Sequence, residues 1–248
     1  MVRFRFVVVL IFLLLSFGCT KQIRPEKEVI KKDASLEELL TLYQHREEEV
    51  SGFKGLMEVT ADFPKLGRHT FKSTIRSEGE QVRFRVFDLF GGTLLELVTE
   101  GEMISLTVPS EKRKFQGTFE ELQQQIQTEI PPGSIEFLDW ASRGGVPGIA
   151  DPYIPALEKG NDFFILYLFI TDGRKAELVE KIWIERTAFW VKKVETFDAT
   201  GMITSVILLD DYRKVGRHDF PFSIEGESGG QKISAKFKEI SLLSKDTM

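Results

Sequence analysis

The 248-residue chain holds few groups able to do covalent chemistry, and its only cysteine, Cys19, is the most telling of them. Arg3 and Arg5 precede a charge-free run from Phe6 to Phe17, FVVVLIFLLLSF, 12 residues long. A permanent span of the bilayer core needs roughly 20 apolar residues, so this run is short for one. It has the form of an export signal that is removed from the mature chain. Gly18 puts a small residue directly before Cys19, as cleavage sites for lipid modification require, although Ser16 stands where such sites usually carry Leu. The chemistry implied is cleavage after residue 18 and acylation of the Cys19 thiol. No thiol is then left, so the fold does not depend on disulfides even in an oxidising compartment.

Other reactive patterns are weaker. Gly226-Glu227-Ser228-Gly229-Gly230 matches G-x-S-x-G, which presents a nucleophile where a strand turns into a helix and Asp then His follow in the chain. Here both flanks read as strands and no histidine follows Ser228, so a hairpin turn is expected. His45, His69 and His218 are isolated, without metal-ligand spacing, and are expected at the surface. Asp210 and Asp211 are neighbours on a strand, point to opposite faces and do not share a proton. The basic clusters Lys31-Lys32, Lys112–Lys114 and Lys192-Lys193 are short and dispersed and read as solvated faces. Loss of Arg3 and Arg5 takes the formal charge from −5 to about −7, a poor balance for binding phosphate backbones. The sequence makes no positive case for catalysis, a metal, a cofactor or nucleic acid.

The elements that position these residues follow from periodicity. Thr20 to Asp33 is polar, charged and broken by Pro25, and reads as a tether from Cys19 (residues 19–33) to a folded body over 34–243. Its fourteen residues reach at most about 50 Å. Ser35 and Glu38 form a capping box, and Leu36, Leu39, Leu40 and Tyr43 mark one helical face through about Glu49. From Gly52 the period becomes two. Phe53, Gly55, Met57, Val59 and Ala61 share one face, then Phe71, Ser73 and Ile75, then Val82, Phe84 and Val86. Short strands follow at 93–99 and 102–108, with another possible at 112–115. Thr118 can cap a helix holding Phe119, Leu122 and Ile126. Ser134, Phe137, Leu138 and Ala141 suggest a second, ended by Arg143-Gly144-Gly145. Strands resume at 162–170, 177–185, 190–198, 202–211, 220–227 and 232–240, separated by turn signals.

About eleven strands with one helical interruption predict a mainly β (α+β) fold. Its sheet is a strongly curved, incomplete antiparallel barrel, and the inserted helical lid spans about 117–145. Phe163–Ile170 and Ser205–Leu209 are apolar on both faces, as expected where a greasy concave side is backed by helices on the convex side. A barrel of this size has room for a small ligand, and a solidly packed core is the alternative.

Four stretches resemble the LolB family of outer-membrane lipoproteins and its LolB-like relatives. They are RFRVFDLFGGTLLEL (83–97), GEMISLTVPSEKRKFQGTFEELQQQI (101–126), IEFLDWASRGGVPG (135–148) and KKVETFDATGMITSVILLDDYRKVGRHDFPFSIE (192–225). The likeness runs over about residues 35–240 and rests on the order of several weak motifs. It implies helices lidding a hydrophobic cavity that takes acyl chains, and an exposed apolar loop that inserts into the membrane. Leu89 and Phe90 occupy that loop, in Leu-Phe-Gly where the family has Pro-Leu-Gly. Inward strand positions supply the cavity candidates Phe84, Val86, Leu95, Leu97, Phe164, Leu166, Ile182 and Ile184. The partners implied are the membrane, the acyl chains of lipoproteins or another lipid, and a periplasmic lipoprotein carrier. Thr20 rather than Asp after Cys19 implies outer-membrane retention facing the periplasm, under the enterobacterial sorting rule. A different use of the same sheet is structural, as an assembly lipoprotein binding an envelope complex.

Overall fold

The computed structural model describes residues 30–50, 52–63, 67–101, 103–118, 121–122, 134–149, 152–171, 173 and 175–243. The expected export signal, Cys19, the expected tether as far as residue 29 and most of the expected first inserted helix lie outside the described residues. All described elements belong to one compact unit, Lys31–Met248. Among the described residues that unit contains the hydrophobic core, as a domain that folds by itself requires.

Helix α1 (Leu36–Glu49) starts at the expected capping box. The Glu38 N–H donates to Ser35 Oγ at 3.2 Å and the Ser35 N–H to Glu38 Oε2 at 2.6 Å. Six strands follow: β1 (Gly52–Phe63), β2 (Gly67–Glu78), β3 (Gln81–Phe87), β4 (Thr93–Glu100), β5 (Met103–Val108) and β6 (Arg113–Thr118). Thr118 forms its own capping bonds with Glu121, and Leu122 is buried beyond them. After α2 (Ser134–Ser142) come β7 (Ile154–Lys159), β8 (Phe163–Thr171), β9 (Ala176–Glu185), β10 (Val191–Phe197), β11 (Ile203–Val215), β12 (His218–Ser228) and β13 (Gln231–Leu242).

The 13 strands form one sheet in the order β6-β5-β4-β3-β2-β1-β13-β12-β11-β10-β9-β8-β7. The chain winds outward to one edge, crosses through the α2 segment to the other edge, and winds back until β13 pairs with β1. Two more strands are present than the eleven or so expected. The clear addition is β7, whose Ile-Pro-Ala-Leu-Glu-Lys sequence conceals a strand because Pro155 cannot serve a central ladder. It sits at the sheet edge, where proline is tolerated.

The sheet must curve around α2. Residues of α2 share a cavity with Leu97 and Thr99 of β4, while Glu180 of β9 feels the charges of Asp139 and Arg143. Strands β4 and β9 are eight spacings apart in the sheet, about 38 Å if it were flat. A nine-residue helix is only about 14 Å long. Both helices therefore lie inside the curve, and Leu39, Tyr43, Phe137, Trp140 and Ala141 join the strand residues in one core. The helices thus cover the concave face, as the expected lid does, and do not back the convex side to which the two-faced apolarity of Phe163–Ile170 and Ser205–Leu209 pointed. Outward residues such as Ile165 and Val206 are half-buried without them.

Alternation placed the inward face well: Phe53, Met57, Val59 and Ala61 are all buried on β1. Gly144 closes α2 with φ +61, and a Cβ there would sit 2.6 Å from the Phe220 ring. At the start of the unit a clasp holds the chain. The Lys32 N–H donates to the Arg186 carbonyl at 2.9 Å, Arg186 Nε donates back to the Lys32 carbonyl at 3.1 Å, and Asp33 pairs with Lys159 at 3.0 Å.

Candidate functional site: an apolar tip and an inner cavity

The β3–β4 turn is built around Asp88. Its N–H donates to the Gly92 carbonyl at 2.8 Å, and the Gly91 N–H returns to the Asp88 carbonyl at 3.2 Å. Asp88 Oδ1 accepts the N–H groups of Phe90 and Gly92, both at 2.8 Å. A Cβ on Gly92 would lie 2.6 Å from Asp88 Oδ2, so a larger residue there would require that carboxylate to shift. This fixed frame presents Leu89 at 100% exposure and Phe90 at 98%. Two large apolar side chains in full contact with water cost free energy that burial would recover.

The turn itself does not require them. Asp198-Ala199-Thr200-Gly201-Met202, between β10 and β11, repeats the same bonds. Asp198 Oδ1 accepts from the N–H groups of Thr200 and Met202 at 2.9 and 3.0 Å, and the Asp198 N–H donates to the Met202 carbonyl at 2.9 Å. The Thr200 hydroxyl and these N–H groups hold the Asp198 carboxyl below the usual carboxylate range. Ala and Thr there occupy the positions that Leu89 and Phe90 fill in the β3–β4 turn, so the apolar pair is an addition to a turn that forms without it.

The second feature is a cavity of about 520 Å³ between α2 and the β2–β5 part of the sheet. That volume falls within the roughly 300–1,000 Å³ of ligand sites. Val82, Phe84, Leu97, Ile104 and Leu138 give it apolar walls. Its rim is polar, with Glu47 of α1, Ser77, Glu80, Asp139 of α2 and Arg143 just after it. Gly79, Glu80 and Gly101 belong to the turns at the end of β3 and β4 remote from Leu89 and Phe90. Rim and tip thus stand about 20 Å apart, the length of β3.

Of the cavity candidates, Phe84 and Leu97 line this space. Val86 and Leu95 pack half-buried against the core nearby. Phe164, Leu166, Ile182 and Ile184 do not line it: they are wholly buried, at 0% exposure, in the packed core. Both halves of the sheet alternate alike in sequence, and where α2 leaves space is decided in three dimensions. Ile104 and Leu138 were missed for that reason.

An inward acid was also missed. Glu180 shares the inner face of β9 with Ile182 and Ile184, and the break in that apolar row is the signal that could have found it. Burial pushes its carboxyl up to about 7; Arg143 offsets this, while Asp139 and Glu136 add to it. Burial likewise raises Asp139, which pairs with Arg143 at 2.9 Å. Asp210 and Asp211 bind different cations, Lys192 and Arg213, and both are held low by those bonds. Ser228 ends β12 at a hairpin, and its hydroxyl donates to the Thr204 carbonyl at 2.8 Å. His45 and His69 are exposed, but His218 is buried, a correction to its expected surface place. It falls in phase with inward-facing Phe220 and Phe222 on β12. Among the described residues no group of three His, Cys, Asp or Glu could hold a metal ion. No helix among them is long and apolar enough to cross a membrane.

No protein-family model matches the chain, and no curated protein matches it. Its architecture is similar to that of several solved structures. One is a domain named as an outer-membrane lipoprotein-sorting protein from Vibrio parahaemolyticus, at 13% identity and a TM-score of 0.60, covering 84% of this chain and 94% of that one. A LolA superfamily protein from Nitrosomonas europaea is 12% identical with a TM-score of 0.56, over 82% and 93% of the two chains. A DUF1329 family protein from Desulfovibrio piger is 9% identical with a TM-score of 0.61, over 83% and 92%. At such identities the likeness shows the fold, an open curved barrel of LolA/LolB type with helices inside.

Proposed function

We propose that this LolA/LolB-type fold serves a lipid-anchored envelope protein, held through Cys19 in the outer membrane. It would bind acyl chains of lipoproteins or other lipids beneath α2 and help insert them into the bilayer. The observation that carries the reading is the fully exposed Leu89-Phe90 pair on a turn that forms equally well without it. The cavity supplies the other half, with apolar walls of Val82, Phe84, Leu97 and Leu138.

The energetics suit transfer without catalysis. Each buried methylene is worth about 0.8 kcal/mol, so a 16-carbon chain keeps roughly 12 kcal/mol out of water. A protein cavity and a bilayer offer similar burial. Passage between a periplasmic carrier, this protein and the membrane then needs only a modest gradient of affinity. No nucleotide, metal or covalent step enters.

Residues 20–248, which lack the lipid-bearing Cys19, should co-purify with extractable lipid identifiable by mass spectrometry. Empty protein that also ignores added acyl ligands would sink the reading. A second reading draws on the filled core around Phe164, Leu166, Ile182 and Ile184: an assembly lipoprotein whose sheet binds an envelope complex. Capture of such a complex by lipid-free protein would favour it.

A further inference from the structure

Strand register brings a basic turn beside the apolar tip. The β3–β4 turn carries Leu89 and Phe90. Strand β4 pairs with β5, Glu96 opposite Thr107, and β5 turns through Pro109–Lys112 into β6 at the same end of the sheet. The two tips are thus on neighbouring hairpins, about two strand spacings or 10 Å apart. Lys112, Arg113 and Lys114 are all exposed on this second tip. The one acid of the turn, Glu111, is taken up by Arg113 at 2.8 Å, leaving the two lysines in excess. On the other flank, exposed Lys72 of β2 stands opposite Phe87, one residue before Asp88. Its cross-strand acid, Glu58, bridges to Lys238 at 2.8 Å.

These cations look dispersed in sequence, 40 residues apart, and assemble only through β2-β3-β4-β5 pairing. Their placement matters because the chain is acidic overall, with 38 Asp and Glu against 33 Lys and Arg. Such a body is repelled by an anionic surface unless it approaches by a locally basic end. Here that end is also the one with the apolar pair.

Resting on the membrane-tip reading above, we propose that this end selects anionic phospholipid. Leu89 and Phe90 enter the apolar layer while Lys72, Lys112 and Lys114 meet headgroup phosphates. The tip then docks in one orientation and prefers membranes rich in negative lipid. Near a charged bilayer each Lys adds about 1 kcal/mol, or roughly fivefold in partitioning. Three lysines give on the order of a hundredfold preference, collapsing in 1 M salt as the screening length falls to about 3 Å.

The test is co-sedimentation of residues 20–248 with vesicles of phosphatidylcholine alone or of an equimolar mixture with phosphatidylglycerol. Wild type should bind both, the mixture about a hundredfold better. Lys112→Asn with Lys114→Gln should cut that preference about 25-fold and leave binding to phosphatidylcholine unchanged; asparagine is chosen because Lys112 has φ 52. Phe90→Ala should weaken binding to both vesicles by the same factor. Wild type that binds both kinds equally, or a lysine variant that keeps the full preference, overturns the proposal while the membrane-tip reading stands. Wild type that binds neither overturns the membrane-tip reading itself.

Discussion

Replacing Phe90 by alanine separates a membrane tip from a folding role, because the two make opposite demands on the same side chain. Phe90 is 98% exposed and its neighbour Leu89 fully so. In the folded protein the ring buries almost nothing, so its removal should change unfolding free energy by no more than about 0.5 kcal/mol, as for an ordinary surface change. The turn keeps its bonds, since Asp88 grips the backbone N–H groups of positions 90 and 92. In contact with a bilayer the ring passes from water to an apolar medium, worth about 1.5–3 kcal/mol. At 1.4 kcal/mol per tenfold, Phe90→Ala should weaken vesicle partitioning by roughly 10- to 100-fold. Leu89→Ala should behave alike, and Ala199→Leu with Thr200→Phe on the matching β10–β11 turn gives a control for apolarity at the wrong site. Vesicle co-sedimentation and thermal unfolding read the two quantities separately. Unchanged partitioning would refute the tip, and destabilisation by more than about 1 kcal/mol would show that the ring packs in solution.

Other changes probe the interior and the tether. Leu138→Trp, on α2 at the cavity wall, should abolish lipid retention with the melting temperature held or raised, since it fills space. Retained lipid would place cargo elsewhere. Glu180 holds its proton more tightly folded, at about 7, than unfolded near 4.3. Its contribution to stability is therefore complete below about pH 4 and lost as pH rises through 7. Glu180→Gln should raise stability at pH 8 by up to about 3 kcal/mol, less where water reaches the half-buried carboxyl, and add little at pH 4; equal gains at both pH values in denaturant melts would contradict this. Gly144→Ala forces a side chain into φ +61 and against the Phe220 ring, and should cost about 2–5 kcal/mol in the same melts. Finally, Cys19 to Lys31 spans at most about 40 Å. The clasp at Lys32 lies at the end of the sheet away from the tip, so deleting residues 22–28 should leave anchoring intact and reduce delivery to the same bilayer.

Much of the fold was readable in local pattern. Ser35 and Glu38 announced the start of α1, and the period of two from Phe53 to Ala61 gave the inner face of β1 residue by residue. Asp198 to Gly201 read as a turn because Asp and Gly there satisfy backbone groups within five residues, whereas the Asp88 to Gly92 loop came from the family resemblance. Strand β7 escaped because Pro155 and its charged neighbours suit only an edge, and edges are a property of the whole sheet. The cavity was half legible. Phe84 and Leu97 were found, but the matching positions on β8 and β9 are filled, because helix placement is not encoded in strand alternation. The buried place of His218 escaped because its strand was expected to start only at Phe220, so its phase with Phe220 and Phe222 went unread.

The sequence by itself determined what short-range chemistry decides: the caps, the turns, and the alternation that makes a one-sided sheet. It also carried the Leu89-Phe90 pair, whose place in a short turn left the two side chains few neighbours to fold against. The tertiary structure alone decided that the helices lie inside the curve, that space remains between α2 and the β2–β5 part of the sheet, and that Glu180 of β9 comes under the charge of Arg143. It also set Lys72 and Lys112–Lys114, 40 residues apart, on either side of one apolar tip. Such outcomes depend on strand pairing and packing between distant segments, where contacts are fixed by geometry that no local pattern records.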